Sequence, residues 1–137
     1  MKTGYGHFIT VFKAARSLLE VSKIVASGLR FQDIKPIVKY LDLSIKDLSK
    51  VSSTTASTIK NLRSTSKINP LASAHFFRLD RVLKMGIDIF GSEDNFKRWI
   101  NARNISLGTV PRELLLNPIG IELVEEVFDA LLFGDVM

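Results

Sequence analysis

Few of the 137 residues carry side chains suited to covalent chemistry. Cysteine is absent, which excludes a thiolate nucleophile, a disulfide framework and any Cys-ligated zinc or iron–sulfur site, and points to a reducing, cytoplasmic setting. The two histidines, His7 and His75, stand far apart with no HExxH or HxH spacing, so each reads as a surface or packing residue. No Walker loop, GxGxxG or GxSxG occurs. Glu125 and Glu126 are neighbours and would point about 100° apart on a helix. Glu122 and Glu126 would share a face, which reads as a solvated acidic surface and not as a catalytic carboxylate pair. The expectation is a protein that is not an enzyme, with no metal and no cofactor.

A different chemistry, hydrogen bonding to base edges and phosphates, fits residues 44–67. Ile45, Leu48, Ile59 and Leu62 have the spacing that holds the two helices of a helix-turn-helix together. Ser49 is small where the second helix must approach the first, and Ser53 stands at the turn, where glycine is commoner. In such a unit Thr55, Ser57, Thr58, Lys60 and Asn61 would face the major groove, Asn61 suited to adenine and Lys60 to guanine. Lys46, Lys50, Arg63 and Lys67 would sit at phosphates, which set register without carrying sequence information. An ordinary helical hairpin with a polar face is the competing reading.

The elements that must carry these residues read as helices nearly throughout. Val11–Ala26 has apolar residues at three- and four-residue steps and stops at Gly28. Phe31–Tyr40 follows, with Pro36 placed so that the helix could begin later than the pattern suggests. Ser44 with Asp47 caps a short helix whose buried stripe is Ile45, Leu48 and Val51. A second short helix spans Thr55–Arg63. Leu71–Phe90 is the longest, ended by Gly91, and Ser92 caps the next, with Phe96, Trp99 and Ile100 turned inward. Pro111 opens a helix through Leu116, and Pro118 opens the last, where Ile121, Val124, Val127, Phe128 and Leu131 face one way and Glu122, Glu125, Glu126 and Asp129 the other. The fold class is all-α.

Charge divides the chain. Residues 1–70 hold twelve basic and four acidic residues, net +8, and residues 71–137 hold seven basic and ten acidic residues, net −3. The polar stretch from Ser64 to Pro70 is the natural seam, so two domains are expected, 1–70 and 71–137. A chain of this length buries enough surface for a core without staples. No apolar run reaches the roughly 18 residues of a membrane span, because Lys13, Arg16 and Lys23 interrupt the most hydrophobic stretch, and no secretory signal is evident.

After Pro70 an ordered series of motifs appears: Arg78-Leu79-Asp80-Arg81-Val82, Phe90-Gly91, Trp99-Ile100, Asn104 with Leu107-Gly108, Pro111-Arg112-Glu113-Leu114-Leu115, Gly120 and Phe133-Gly134. This series resembles the C-terminal toxin-binding domain of the Xre/MbcA/ParS antitoxins. Upstream, Gly28-Leu29, Leu41-Asp42-Leu43-Ser44 and the 45–62 helix pair resemble that family's Xre-like helix-turn-helix domain, so the likeness spans about residues 25–137. The sequence departs from the family pattern at Asn117-Pro118, Thr109, Phe133 and Ser53.

The resemblance implies a cytoplasmic bacterial type II antitoxin, partnered by a RES-domain toxin that depletes NAD. The C-terminal domain would cover the toxin's active-site entrance, while the N-terminal domain, paired in a homodimer, would bind operator DNA of the shared operon. It places the toxin interface on the 99–108 region, on 111–115, and on the last helix with its tail: Asn104, Arg112, Phe133, Gly134, Asp135, Val136 and Met137. Trp99, Leu114 and Leu131 read instead as core. Two alternatives stay open: a helix-turn-helix regulator without a toxin, and a protein-interaction module that never touches DNA.

Overall fold

The computed structural model describes residues 4–134. Among them every regular element is a helix, nine in all, and the only strand-like pairings are isolated bridges between Arg30 and Lys67 and between Asn104 and Thr109. The fold is all-α, as the periodicity predicts. The chain forms two compact units, Met1–Arg81 and Val82–Met137.

In the first unit, the single helix expected over Val11–Ala26 is in fact two, α1 (Thr10–Lys13) and α2 (Leu18–Ser27). Ser17 causes the break. Its extended backbone and side chain cap α2, accepting from the Glu20 N–H at 3.2 Å, while the Glu20 carboxylate accepts from the Arg16 N–H at 3.1 Å. The turn buries Phe12 and Ala15 and leaves Leu18 and Leu19 56% and 66% exposed. Gly28, at φ 91°, ends α2 as expected.

Helix α3 (Phe31–Leu41) begins where the apolar pattern begins, not later. Neighbouring groups satisfy its first N–H donors: the Phe31 and Gln32 N–H groups donate to the Ser66 and Ser64 carbonyls at 2.8 and 2.9 Å, and the Arg30 N–H donates to Asp33 at 2.8 Å. Pro36 therefore sits inside the helix, exposed, where its missing N–H removes one backbone bond. Burial of Ile34, Ile37 and Leu41 carries the helix past it. Ser44 and Asp47 close a capping box on α4 (Ile45–Ser52), as read from the sequence. Ile45 is exposed, so Leu48 and Val51 form the buried stripe. Helix α5 (Ala56–Lys60) is shorter than the expected Thr55–Arg63, with Thr55 as its N-cap and Asn61 as its C-cap.

Helix α6 (Pro70–Phe90) contributes to both units. Within the first, Asp80 is 1% exposed and its carboxylate accepts from three consecutive backbone N–H groups, His7 at 2.9 Å, Phe8 at 2.7 Å and Ile9 at 3.2 Å. Burial pushes this carboxyl above its ordinary value, and the three N–H donors act in the opposite sense. Nearby, the Phe12 and Phe77 rings meet edge to face at 5.0 Å.

The second unit is built around Phe96. Its ring lies 5.7 Å from Phe90, 6.0 Å from Trp99 and 5.9 Å from Phe128, joining α6, α7 (Glu93–Asn101) and α9 (Pro118–Phe133). Gly86 makes room, since a Cβ there would overlap the Phe96 ring. Helix α8 (Pro111–Leu114) ends before the expected Leu116, and α9 approaches it so closely that a Cβ on Gly120 would overlap the Leu114 carbonyl. On α9, Ile121, Val124 and Phe128 are buried. Leu131, expected with them, is 55% exposed.

Candidate functional site

Two surfaces carry the residues that the sequence singles out. The first is the 44–67 segment. Leu48, Val51 and Ile59 are buried, which seats α4 and α5 on the unit's core beside Ile34, Ile68 and Phe76. The reversal between the helices runs through Ser53, whose φ of 54° puts a non-glycine residue in the left-handed region. Hydrogen bonds hold it there: the Ser49 hydroxyl donates to the Thr54 carbonyl, the Thr54 N–H donates back to the Ser49 carbonyl at 3.2 Å, and the buried Ser52 hydroxyl donates to the Leu48 carbonyl at 2.7 Å. Ser49 thus serves as small residue and turn anchor at once.

Thr55, Ser57, Thr58, Lys60, Asn61 and Arg63 are all exposed on and after α5, and Lys46 and Lys50 are exposed on α4. They are not equivalent. Thr55 is committed to capping: its hydroxyl accepts from the Thr58 N–H at 3.2 Å and lies 3.0 Å from the Thr58 hydroxyl. Ser57, Lys60 and Asn61 are the exposed polar side chains that the cap does not use. The structure adds Lys35 of α3, whose ammonium donates to the Ser64 hydroxyl at 3.3 Å and lies 5.4 Å from the Phe31 ring centroid. Sequence spacing offered no signal for it, because 29 residues separate Lys35 from Ser64.

The second surface belongs to the C-terminal unit. Asn104 organises the 104–109 turn: its side-chain oxygen accepts from the Leu107 N–H at 3.0 Å, and its N–H donates to the Thr109 carbonyl at 3.0 Å. This turn sets Ile105 almost wholly in solvent. Arg112 pairs with the adjacent Glu113 at 2.9 Å. Trp99 and Leu114 are half-buried, in keeping with a core role. Asn117, one of the departures, still caps, since its side chain accepts from the Gly120 N–H at 2.7 Å with Pro118 following. The end of α9 exposes Leu131, Leu132 and Phe133 in succession, Phe133 at 76%, before Gly134. Asp135, Val136 and Met137 lie outside the described residues.

Asp80 is the residue whose role the sequence reading missed. It stands in the family-like series, yet nothing there assigned it a task. A signal existed: between Phe76 and Leu83 it occupies an inward position of the helical period, where an acid needs partners.

Among the described residues no group of three or more His, Asp or Glu side chains could hold a metal ion, and no helix is long and apolar enough to cross a membrane. His75 is buried within α6, its ring 6.4 Å from that of Phe76.

No curated protein matches the sequence. Residues 85–134, however, match the family model of the antitoxin Xre/MbcA/ParS C-terminal toxin-binding domain. The matched stretch takes in Phe90-Gly91, Trp99-Ile100, Asn104, Pro111–Leu115, Gly120 and Phe133-Gly134, whereas the likeness expected over 25–84 lies outside it. These matched residues, which supply the aromatic core around Phe96 and the apolar end of α9, are similar to the toxin-binding domain of the Xre/MbcA/ParS antitoxins.

Proposed function

We propose that the protein is the antitoxin of a type II pair in the cytoplasm, neutralising a RES-domain, NAD-depleting toxin by covering its active-site entrance. The observation that carries this reading is the toxin-binding domain at 85–134, whose last helix exposes three consecutive large apolar residues, Leu131, Leu132 and Phe133. Side chains of this kind are suited to anchoring an interface. Asn104 and Arg112 supply polar contacts at its rim, and the tail residues Gly134, Asp135, Val136 and Met137 extend it. An acidic unit suits the mouth of an enzyme that admits an anionic dinucleotide.

The N-terminal unit represses the operon as a homodimer through a helix-turn-helix formed by α4 and α5. Capping of α4 by Ser44, the turn at Ser53 and the exposure of Lys60 and Asn61 support this assignment. Lys46, Lys50 and Arg63 meet phosphates, and Ser57, Lys60 and Asn61 meet bases.

Co-expression tests the toxin reading. The neighbouring gene product should arrest growth alone, this chain should restore it, and Leu132→Asp with Phe133→Asp should abolish the rescue; rescue by residues 1–70 alone would overturn the assignment.

A further inference from the structure

A cleft in the first unit gathers more positive charge than its own residues balance. It lies where α2 ends and α3 begins, encloses about 370 Å³, and is lined by three cations, Lys23, Arg30 and Lys67, against one carboxylate, Asp33. That carboxylate is already engaged, accepting from the Arg30 N–H at 2.8 Å in the cap of α3. Backbone contacts fix the walls. The Ile68 N–H donates to the Leu29 carbonyl at 2.8 Å, Arg30 and Lys67 form one of the isolated bridges, and a Cβ on Gly28 would meet the Ile68 carbonyl at 2.8 Å. The Lys67 ammonium is held too, donating to the Ser27 hydroxyl at 3.0 Å and to the Ser27 carbonyl at 3.1 Å. An ammonium has three N–H donors, so one is left for a ligand. The first N–H groups of α3 are spent on the Ser64 and Ser66 carbonyls, which leaves recognition to the three basic side chains.

Three cations on one preformed wall repel one another, and an anion placed among them turns that repulsion into attraction. Phosphate oxygens suit them, since ammonium and guanidinium groups make their strongest hydrogen bonds to charged acceptors. Continuity of the surface indicates where the phosphate comes from. Lys67 also lines a second depression, of about 210 Å³, together with Thr54, Thr58 and Asn69 on the side of α5. It therefore joins the cleft to the helix that carries Lys60 and Asn61, and a chain of phosphates can follow such a track where a free phosphate would use one end only. We propose that the cleft is a site for the sugar–phosphate backbone of DNA beyond the bases that α5 meets, with Lys23, Arg30 and Lys67 on the phosphate oxygens. This adds the end of α2 and the junction before α3 to a footprint that the sequence pattern confines to 44–67. It rests on the reading of α4 and α5 as a helix-turn-helix. Contacts of this kind strengthen binding to any duplex and carry no base information.

Fluorescence anisotropy of the full chain tests this across a range of salt concentrations, on the duplex upstream of its own gene and on a random duplex of equal length. Lys23→Gln with Arg30→Gln, both exposed positions, should lower the slope of log K against log salt by about two, since each lost phosphate contact removes about 0.9. Lys23→Gln alone should lower it by about one. Both duplexes should weaken by the same factor, with helical circular dichroism unchanged. Arg16→Gln with Lys39→Gln removes the same charge from exposed positions of the same unit outside the cleft, and should keep the wild-type slope. A cleft variant with the wild-type slope, beside a Lys46→Ala variant with a lowered one, would overturn the site and leave the helix-turn-helix reading standing. Equal slope losses in the cleft and control variants would mark an effect of net charge and overturn the site as well. A wild-type chain that binds neither duplex would overturn the site and that reading together. Calorimetry with AMP should show no heat of binding; saturable binding that the cleft variant loses would reassign the cleft to a free phosphate ligand and overturn its placement on DNA.

Discussion

Single residues set the tolerances of this fold. Gly120 lets α9 close on the Leu114 carbonyl, and backbone cannot move aside as a flexible side chain can. Gly120→Ala should therefore destabilise the chain by about 1–3 kcal/mol, read by urea denaturation; an unchanged midpoint would show that the two helices can part without loss. Ser53 makes the opposite case. It holds φ 54° as a non-glycine residue, a conformation costing roughly 1–2 kcal/mol in an L-residue. Ser53→Gly should raise stability, by less than that full amount because glycine loses more chain entropy on folding. Asp80 adds a pH dependence. Burial raises its folded-state pKa above the ordinary 3.8, so the folded chain binds its proton more tightly than the unfolded one. The stability tied to that proton is complete below pH 3.8 and is lost as pH rises through the raised value. Asp80→Asn should flatten this part of the stability profile. It should also lower stability at all pH values, because an amide NH₂ would face at least one N–H of His7, Phe8 or Ile9 that the carboxylate now accepts.

Elements show where local signals suffice. Helix α4 is legible from Ser44, Asp47, Leu48 and Val51, because a capping box and a buried stripe are local. The break between α1 and α2 was harder to see. Apolar residues run on from Val11 to Val25 at helical spacing, and only the Ser17 cap and the burial of Ala15 redirect the chain. At the other end, α9 keeps its period to Leu131, yet Leu131, Leu132 and Phe133 are each more than half exposed and so within reach of a partner. Since all three are exposed, Leu132→Asp with Phe133→Asp should leave thermal stability nearly unchanged, within about 0.5 kcal/mol per site. The same pair should remove toxin binding in a pull-down, and a large loss of stability would instead show that these side chains are core.

For the molecule as a whole, the modest total of +5 combines a strongly basic unit with an acidic one. On the proposed reading that the basic unit binds DNA, its affinity depends on salt. Lys46→Ala should weaken binding about equally to operator and to random duplex and lower the slope of log K against log salt by roughly one. Lys60→Ala with Asn61→Ala should instead erase the preference for operator. Titrations at several salt concentrations separate the two outcomes, and loss of operator preference in Lys46→Ala would reassign that lysine to base readout.

By itself the sequence determined the helical class, most caps, the charge division and the family-like series after Pro70. Each of these depends on residues within a few turns of one another or on composition. Tertiary structure decided which apolar residues a partner could reach, because Leu18, Leu19, Leu131 and Phe133 have the same hydropathy as buried ones and differ only in what lies over them. It likewise decided the role of Asp80, whose partners at residues 7–9 lie more than seventy positions away, and that of Lys35, which reaches the loop after α5 only once the chain has folded.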